Sequence, residues 1–406
     1  MRNKLIFSSA LVILLFGSAS LAISFERNKR DDLYRQVEIF SDVLAIVDSE
    51  YVDEVKPKDE IYGALKGMVS SLDPHSQFMD PQAYNELKED TEGKFGGLGI
   101  EISVRNGGLV IISPLEGTPA WKAGLKPGDK IVKINAVSTS GIGLDEAMRK
   151  LRGNPKEAVS LTVSRGPGKK LLEFKITRAI IKINDIKQAK ILEDGIGYIQ
   201  IVEFRESTPK DFNVAIEKLS GLGIKALILD LRNNPGGLME SALEITGKFI
   251  PEGKLIVSSK GRKQNQNLEF KSEDKHPLLK LPLAILINAG SASGSEIIAA
   301  ALQDYKRALI LGEKSFGKGS IQTVIPLSDG SALRLTTSKY FTPLGKGIDG
   351  KGVSPDVLIG NPADDEEKEI IEGPGLGQEP DKGKKAPDYK SDPAVMAAVN
   401  LLKTKQ

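Results

Sequence analysis

The stretch KALILDLRNNPGG, residues 225–237, decides the fold class of this chain. The apolar run in KALILDLR predicts a strand buried within a sheet. The residues NNPGG that follow are turn formers, and they predict that the strand ends there. A second buried strand is predicted for LPLAILIN, residues 281–288, and a helical pattern lies between the two. Buried strands that alternate with helices predict a sheet with helices packed against it.

The same alternation extends from residue 181 to residue 360. Strands are predicted for GIGYIQI and KLIVSSK, helices are predicted for DFNVAIEKLSGL, SALEITGKFI and SEIIAAALQDY, and the runs RALILGEK, SIQTVIPL and ALRLTTSKYFTP close the series. Residues 181–360 are therefore predicted to form a layered α/β core. A functional site is expected at the ends of its strands.

Other regions flank this core. Residues 25–94 carry apolar residues at helical spacing and are predicted to form a helical region. Residues 95–180 begin in a glycine-rich run and continue with alternating strand patterns, so a β-rich domain is predicted there. Residues 361–406 comprise a charged linker rich in Pro and Gly and a final helical pattern, PAVMAAVNLLK. The predicted fold class is a multidomain α/β protein.

The first 24 residues, MRNKLIFSSALVILLFGSASLAIS, have the pattern of an export signal. Arg2 and Lys4 precede an apolar run that starts at Leu5, and small residues follow through Ala22. The run is close to the length of a membrane anchor, so a cleaved signal peptide and an uncleaved anchor both remain open. We therefore predict an exported protein of the periplasm or cell envelope, either secreted or associated with the membrane.

Composition excludes several classes of protein. The chain has 406 residues, which is enough for two or three domains. Lys plus Arg number 56 and Asp plus Glu number 54, a formal net charge of +2, so no surface for nucleic acid is expected. The chain has no cysteine and only two histidines, His75 and His276, which excludes a thiolate nucleophile and a metal site rich in Cys or His. No metal or cofactor is predicted.

The stretch GEKSFGKGSIQ, residues 312–322, places a lysine between glycines. Gly312, Gly317 and Lys318 have the spacing of a phosphate-binding loop. That loop needs Ser or Thr to hold magnesium, but Gly319 stands at that position. A nucleotide enzyme is therefore only a minor alternative, and the export signal weakens it further.

Lys318 is better suited to act as a base. A lysine base must be neutral, so its pKa has to fall from about 10.4 to about 7 or 8, which burial in an apolar pocket can cause. No acidic residue adjoins Lys318 in the sequence, so no neighbouring carboxylate is expected to keep the amine charged. Gln322 can hold the amine in position without adding charge.

A nucleophile is predicted in NAGSASGSE, residues 288–296, between a buried strand and an apolar helix. Small residues at such a turn let a side chain project, and the start of the helix offers free N–H groups. Ser291, Ser293 and Ser295 are all candidates, and the pattern differs from the G-x-S-x-G elbow. Neither histidine has a recognisable Asp partner in the sequence, so lysine is the alternative base.

These motifs, in this order, resemble those of the C-terminal processing (tail-specific) serine peptidases. The segments that carry the resemblance are residues 229–238, 288–304, 307–322 and 340–357, with the β-rich domain before them. The resemblance implies an exported protease with a PDZ domain and a Ser-Lys catalytic pair. By position, it implies that Ser293 is the nucleophile, Lys318 is the base and Gln322 supports the base.

The resemblance also implies an oxyanion hole. Its donors are the N–H group of Gly294 and one N–H group of the turn formed by Gly236 and Gly237, and the choice between these two glycines is left open. Family members often have Ala after the nucleophile. Gly294 departs from that pattern, and we expect it to loosen the turn while keeping the N–H group.

Residues 95–180 resemble a PDZ domain, because a glycine loop, a strand, the turn AGLKPGD and a helix at LDEAMRKLRG follow in that order. The resemblance implies that the backbone of Gly97-Leu98-Gly99-Ile100 binds the terminal carboxylate of a peptide. The peptide would add as a strand beside EISV. In an ordinary β domain the same glycines would form a tight turn or a bulge.

The predicted function is that of an exported serine endopeptidase. It would bind the accessible C-terminal tails of protein substrates through the PDZ domain and cleave near them through an acyl-enzyme. The resemblance further implies that peptide binding gates the site, and homo-oligomer formation is left open. The alternative is an exported scaffold or chaperone with an inactive core, against which the intact set of Ser293, Lys318 and Gln322 argues.

Overall fold

The computed structural model describes residues 32–105, 107–166, 168–360 and 389–404. The predicted export signal, residues 1–24, and the charged segment 361–388 lie outside the described residues. The chain divides into two compact units, of which the first ends at Asp80 and the second begins at Pro81.

The first unit is mostly helical. It contains α1 (32–50), α2 (Pro57–Ser70) and the short strand β1 (Gln77–Met79). Pro57 is the first residue of α2, where its missing N–H group costs no helical hydrogen bond. Helix α1 leaves several large apolar side chains exposed, namely Leu33, Tyr34, Val37, Ile39, Phe40, Val43 and Ile46. Among the helices that the structure describes, none is long and apolar enough to cross a membrane.

The second unit begins with a helix and a β-rich domain. The elements are α3 (Pro81–Glu92), β2 (Lys94–Gly97), β3 (Ile100–Arg105), β4 (Gly108–Pro114), α4 (Pro119–Lys122), β5 (Lys130–Ile134), β6 (Val137–Ser138), α5 (Leu144–Leu151), β7 (Ala158–Arg165), β8 (Lys170–Thr177) and β9 (Ala179–Lys182). Strands β3, β4, β5, β7 and β8 form an antiparallel sheet in that order, β6 pairs with β5, and β2 pairs with β9. Strand β3 is therefore at the edge of its sheet.

Local periodicity explains this domain. In β7 the buried residues Val159, Leu161 and Val163 alternate with more exposed ones, as expected for a strand with one face on a core. In α5 the buried residues Ala147 and Leu151 are four positions apart, which places them on one face of the helix. All five belong to one apolar core between the sheet and the helix.

The remaining elements form the layered core. They are β10 (Ile186–Ile191), β11 (Ile196–Ile201), α6 (Thr208–Gly221), β12 (Ala226–Asp230), α7 (Met239–Gly247), β13 (Leu255–Gly261), β14 (Glu269–Lys271), β15 (Leu283–Ile287), α8 (Gly294–Asp304), β16 (Leu309–Gly312), β17 (Ser320–Pro326), β18 (Ala332–Phe341), β19 (Val357–Leu358) and α9 (Pro393–Lys403). One sheet has the order β10, β11, β12, β15, β16, β19 and is parallel except for β10. Strands β17, β18, β13 and β14 pair in that order as an antiparallel sheet.

The parallel sheet is covered on both faces. Every residue of β12 and β15 is buried, and alternate residues of each strand join different cores. Leu227 and Leu229 pack in the core that contains residues of α6, α7 and α8. Ile228 packs instead with α9, through residues such as Val395 and Leu402. Burial on both faces is the reason that these strands are continuous apolar runs.

The predicted multidomain α/β fold is confirmed. KALILDLR contributes β12, LPLAILIN contributes β15, and PAVMAAVNLLK forms α9, which docks on the sheet. The sequence patterns did not predict β8, β9 or β10. Each of these strands has a single buried residue, so the alternation that marks a strand is weak in its sequence.

Candidate active site

The loop between β15 and α8 carries three serines, and the structure separates their roles. Ser291 and Ser295 are fully buried, and their hydroxyls donate to the backbone carbonyls of Leu231 at 2.8 Å and Asn234 at 3.0 Å. Ser293 is partly exposed and immediately precedes α8. Its φ of 52° lies in the left-handed region, which is strained for a serine. Of the three serines, Ser293 alone has the exposure and strained geometry of a nucleophile.

Glu296 joins this loop to the loop that carries Lys318. Its side chain is completely buried, and its Oε2 atom accepts hydrogen bonds from the backbone N–H groups of Ser293 and Lys318, both at 2.9 Å. Its Oε1 atom accepts from the Gly317 N–H at 2.7 Å and from Ser315 Oγ at 2.5 Å. One carboxylate therefore holds the backbones of the predicted nucleophile and the predicted base side by side.

Sequence reasoning missed Glu296 as a site residue. A signal was present, because Ser293 and Glu296 have the S-x-x-E spacing of a capping box directly before an apolar helix. In a capping box the glutamate returns to the backbone N–H of the residue that caps the helix, which is the bond found here. The local pattern could therefore indicate the bond from the Ser293 N–H group. The other three bonds to this carboxylate come from the distant loop of Lys318.

Lys318 lies between β16 and β17 and is partly buried. Burial lowers the pKa of its amine, the positive charge of Arg334 lowers it further, and the negative charge of Glu296 opposes both. No acidic residue adjoins Lys318 in the sequence, but the fold brings Glu296 beside it from 22 positions away, and its negative charge reduces the lowering of the pKa. The net direction is nevertheless downward, since burial is the largest effect.

The structure thus brings Ser293 and Lys318 together, with Gln322 on the strand that follows. Among the described residues, no hydrogen bond joins Ser293 Oγ to Lys318 Nζ. The amide nitrogen of Gln322 donates to Ser320 Oγ at 2.9 Å and to Thr336 Oγ1 at 3.2 Å. The role of Gln322 as a support for the amine stays a prediction.

Asn234 holds the turn after β12 against the loop that carries Ser293. The Asn234 carbonyl accepts from the Ala292 N–H at 3.0 Å, in addition to Ser295 Oγ. Gly236 then passes so close to Ser293 that a Cβ atom on Gly236 would lie 2.6 Å from Ser293 Cβ. Only glycine fits at this position, where φ is also +105°.

The two glycines of this turn differ in what their N–H groups do. The Gly236 N–H donates to Asn234 Oδ1 at 2.8 Å and is already used. Within the part of the chain that the structure describes, the N–H groups of Gly237 and Gly294 have no acceptor. These two groups are therefore available as donors to an oxyanion.

Gly294 also has a packing reason to lack a side chain. A Cβ atom there would lie 3.0 Å from the ring of Phe204 and 3.1 Å from Ala242 Cβ. Its φ is not in the left-handed region, so alanine would be compatible with the backbone. Glycine therefore allows Phe204 to pack closely under the start of α8.

The predicted peptide-binding residues lie in the β-rich domain. Gly97 ends β2 and Ile100 begins β3, and the carbonyls of Leu98 and Gly99 accept from Ala120 at 3.0 Å and from Leu115 at 2.9 Å. Among the residues that are described, the N–H groups of Leu98 and Gly99 have no acceptor. The loop adjoins a cavity of about 380 Å³, which is lined by Leu98, Ile100, Ile102, Met148, Leu151 and others. The loop, the cavity and the open edge of β3 together form a groove.

No site for a metal ion emerges in the described ranges, where no group of three or more His, Asp or Glu side chains is close enough to hold one. His276 is exposed, and its backbone N–H donates to Asp274 at 2.7 Å. The role of Lys318 as the base for Ser293 stays a prediction.

A peptidase core with an attached PDZ domain is the class that this fold and site define. Comparison with protein families supports it: residues 195–359 match the model of peptidase family S41, residues 86–164 match the PDZ domain, and residues 18–83 match the N-terminal domain of the activating protease CtpB.

Individual relatives specify the family further. The chain is 42% identical to the carboxy-terminal-processing protease of Bartonella bacilliformis, over 89% of this chain and 84% of that protein. It is 35% identical to the carboxy-terminal processing protease CtpA of Bacillus subtilis, over 86% of this chain and 74% of the relative. The chain belongs to the carboxy-terminal processing proteases of peptidase family S41.

The fold itself recurs in a solved structure. A Bacteroides fragilis protein described as an S41 protease superposes with a TM-score of 0.50 at 15% identity, covering 90% of this chain and 97% of that one. At this identity the likeness concerns the fold alone. Family membership makes the chain a serine-type peptidase that acts on protein substrates, and the nucleotide alternative loses its support.

Proposed function

We propose that this protein is an exported endopeptidase that binds the C-terminal tails of proteins on its PDZ domain and cleaves near them through Ser293 and Lys318. One observation carries the catalytic part. Glu296 Oε2 accepts the backbone N–H groups of both residues at 2.9 Å, and burial lowers the pKa of the Lys318 amine. A lysine with a lowered pKa is available as a neutral base closer to physiological pH than an ordinary lysine.

In the proposed mechanism, Lys318 Nζ removes the proton of Ser293 Oγ as that oxygen attacks the scissile carbonyl carbon. The carbonyl electron pair moves to oxygen, and the N–H groups of Gly294 and Gly237 stabilise the resulting oxyanion. The Lys318 ammonium then protonates the leaving amine, the C–N bond breaks, and the acyl group stays on Ser293. Water, deprotonated by Lys318, attacks the ester and releases the new carboxyl end and the free serine.

Tail binding is proposed for the groove beside β3. The N–H groups of Leu98 and Gly99 would receive the terminal carboxylate, and the backbone of the tail would pair with the open edge of β3. The apolar lining of the adjacent cavity would receive side chains of the tail. This arrangement would deliver a substrate by its end and leave the sequence around the scissile bond less restricted.

The decisive experiment replaces the two reacting side chains separately. Ser293→Ala and Lys318→Ala should each abolish cleavage of a protein with a free C-terminal tail, while circular dichroism shows an intact fold. Lys314→Ala is the matched control, because Lys314 is exposed in the same loop. Undiminished proteolysis by either purified site variant would falsify the mechanism.

A fluorophosphonate probe distinguishes the peptidase from a scaffold with an inactive core. The probe should label the wild type and not Ser293→Ala, since it reacts only with an activated serine. Lack of labelling of the wild type in the presence of a bound tail peptide would favour the scaffold.

Export, membrane association and homo-oligomer formation belong to the same proposal. The pattern of residues 1–24 supports export and association with the membrane. Fractionation of cells that express a C-terminally tagged chain tests both, and recovery in the cytoplasm would contradict export.

Homo-oligomer formation is favoured by the exposed apolar side chains of α1, which a second copy of the chain would bury. A monomer at every concentration in sedimentation equilibrium would contradict it.

A further inference from the structure

The phenol of Tyr340 lies beside both candidate catalytic residues. Tyr340 belongs to β18 and is 2% exposed. Its hydroxyl donates a hydrogen bond to the backbone carbonyl of Lys318, and the Ser293 side chain lies close enough to the phenol to affect its pKa. Its backbone N–H donates to the Gly319 carbonyl at 2.9 Å, so the strand and the Lys318 loop are joined at two points.

Tyr340 and Glu296 together hold Lys318 from both sides. Glu296 accepts the N–H group of Lys318, and Tyr340 donates to its carbonyl, so both peptide groups of this residue are fixed. The Ser293 backbone is held by the same carboxylate, which accepts its N–H group, and the Ser293 side chain lies beside the phenol. The Lys318 amine has no hydrogen bond among the described residues.

We propose that Tyr340 is a positioning residue for the Ser-Lys pair: it holds the Ser293 hydroxyl in a resting orientation and fixes the Lys318 backbone within reach of it. The proposal rests on the proposed function of Ser293 and Lys318. In the reaction the Ser293 hydroxyl leaves the phenol oxygen and turns to Lys318 Nζ. Burial raises the pKa of the phenol, so Tyr340 stays neutral and contributes geometry instead of proton transfer.

Replacing Tyr340 by Phe removes the hydroxyl and keeps the ring. We expect kcat to fall by about 10- to 100-fold, because a small misplacement of reacting groups has effects of this size. KM should change by less than about twofold, since the proposed role of the phenol is to position Ser293 and Lys318 and not to contact substrate. The rate at which a fluorophosphonate labels Ser293 should fall in parallel with kcat.

Tyr305→Phe is the matched control. Tyr305 also donates its hydroxyl to a backbone carbonyl, that of Leu255 at 2.9 Å, but it lies at the other end of α8. This variant should keep the wild-type kcat and labelling rate. Unchanged kcat in Tyr340→Phe, or an equal loss in both variants, overturns the role of Tyr340.

A second substitution keeps the test decisive when Tyr340→Phe does not fold. Incorporation of 3,5-difluorotyrosine at position 340 keeps the ring and its hydroxyl but changes the strength of its hydrogen bonds. A change of kcat by more than about threefold at unchanged KM supports the proposal, and an unchanged kcat overturns it. Lys318→Ala separates the catalytic role of Lys318 from the positioning role of Tyr340. If Lys318→Ala is inactive and Tyr340→Phe is fully active, only the role of Tyr340 is rejected.

Discussion

Glu296 shows how one buried side chain can organise a site without taking part in the chemistry. Its four hydrogen-bond donors come from two loops that are separated by a helix and a strand of the core. A carboxylate can accept at both oxygens, whereas an amide has only one oxygen to accept with. The geometry of Ser293 and Lys318 therefore depends on the identity of a residue that meets no substrate.

Replacing Glu296 by Gln should reduce kcat by about 10- to 100-fold, because the new NH₂ group faces N–H donors and displaces the two loops. The unpaired donors should also lower the free energy of unfolding by about 1–3 kcal/mol. Hydrolysis kinetics and urea unfolding measure the two effects. Glu240→Gln is the control, since Glu240 is an exposed glutamate in the first turn of α7. A Glu296→Gln enzyme as active as this control would contradict the proposal that Glu296 supports the loops of Ser293 and Lys318.

The lowered pKa of Lys318 predicts a linked pH dependence of activity and stability. Burial disfavours the ammonium in the folded state, so the unfolded chain binds a proton more readily between the folded pKa and the ordinary value of about 10.4. The contribution of Lys318 to the free energy of unfolding is thus complete above the ordinary pKa. It is lost as the pH falls through the pKa that Lys318 has in the folded state. Activity should rise through the same folded pKa, because only the neutral amine is a base.

Lys318→Met tests this linkage, because methionine fills similar space without a charge. The variant should be inactive and more stable than the wild type at low pH, and the difference should shrink as the pH rises. Thermal unfolding of both proteins from about pH 6 to about pH 10 measures it. Lys314→Met, at an exposed position of the same loop, should show no such trend. If the difference in stability between Lys318→Met and the wild type stays constant with pH, it would argue against a buried neutral amine.

At the scale of elements, Asp392 and Arg232 link helix α9 to the turn that holds Gly236 and Gly237. Asp392 caps the helix by accepting from the N–H groups of Ala394 and Val395. The same carboxylate pairs with Arg232 at 3.1 Å and 2.8 Å, and Arg232 also pairs with the buried Asp230 at the end of β12. The residues after Arg232 form the turn that holds Gly236 and Gly237, so α9 supports both the sheet and this turn.

Leu402 anchors α9 in the core on the second face of the parallel sheet and is fully buried. Replacing Leu402 by Ala should lower the free energy of unfolding by about 2–5 kcal/mol, because it removes buried apolar contacts and leaves a cavity. Asn400→Ala, at an exposed position of the same helix, should change it by less than about 0.5 kcal/mol. Equal urea midpoints for the two variants would show that α9 is not docked as described.

At the scale of the whole molecule, the second unit contains both the groove that is proposed to bind a tail and the site that is proposed to cleave a chain. Gly99 lies in the groove with φ +73°, and a Cβ atom there would lie 2.4 Å from Thr118. This loop therefore tolerates no side chain at Gly99. We expect that tail binding and catalysis can be disturbed separately, because the groove lies beside β3 and Ser293 follows β15, and these two strands belong to different sheets.

Gly99→Ala should weaken binding of a peptide with a free C-terminus while fluorophosphonate labelling of Ser293 persists. Gly124→Ala is the control, because Gly124 has φ +81° but open space around it, so it shares the backbone strain without the clash. Fluorescence polarisation with free and amidated peptides measures binding. Equal affinity of the wild type for the two peptides would remove the carboxylate from the proposed recognition.

Local sequence was sufficient for much of the architecture and for the type of chemistry. The strands β12 and β15 are continuous apolar runs, α9 has a helical period, and Lys318 stands between two glycines, so each could be recognised within a few residues. Strands β8, β9 and β10 could not be recognised in this way. Each buries a single residue, so its formation depends on pairing with neighbouring strands.

The sequence by itself determined the fold class, the helix that follows the loop of Ser293, and the presence at Lys318 of a lysine without adjacent acidic residues. These features follow from short-range periodicity and backbone preference. Only the tertiary structure decided that Ser291 and Ser295 are structural, that the Gly236 N–H is already used, and that Glu296 and Tyr340 meet at Lys318. Each of these facts depends on a contact between distant segments. Burial and hydrogen bonding of a group are set by its neighbours in space, which short stretches of sequence do not specify.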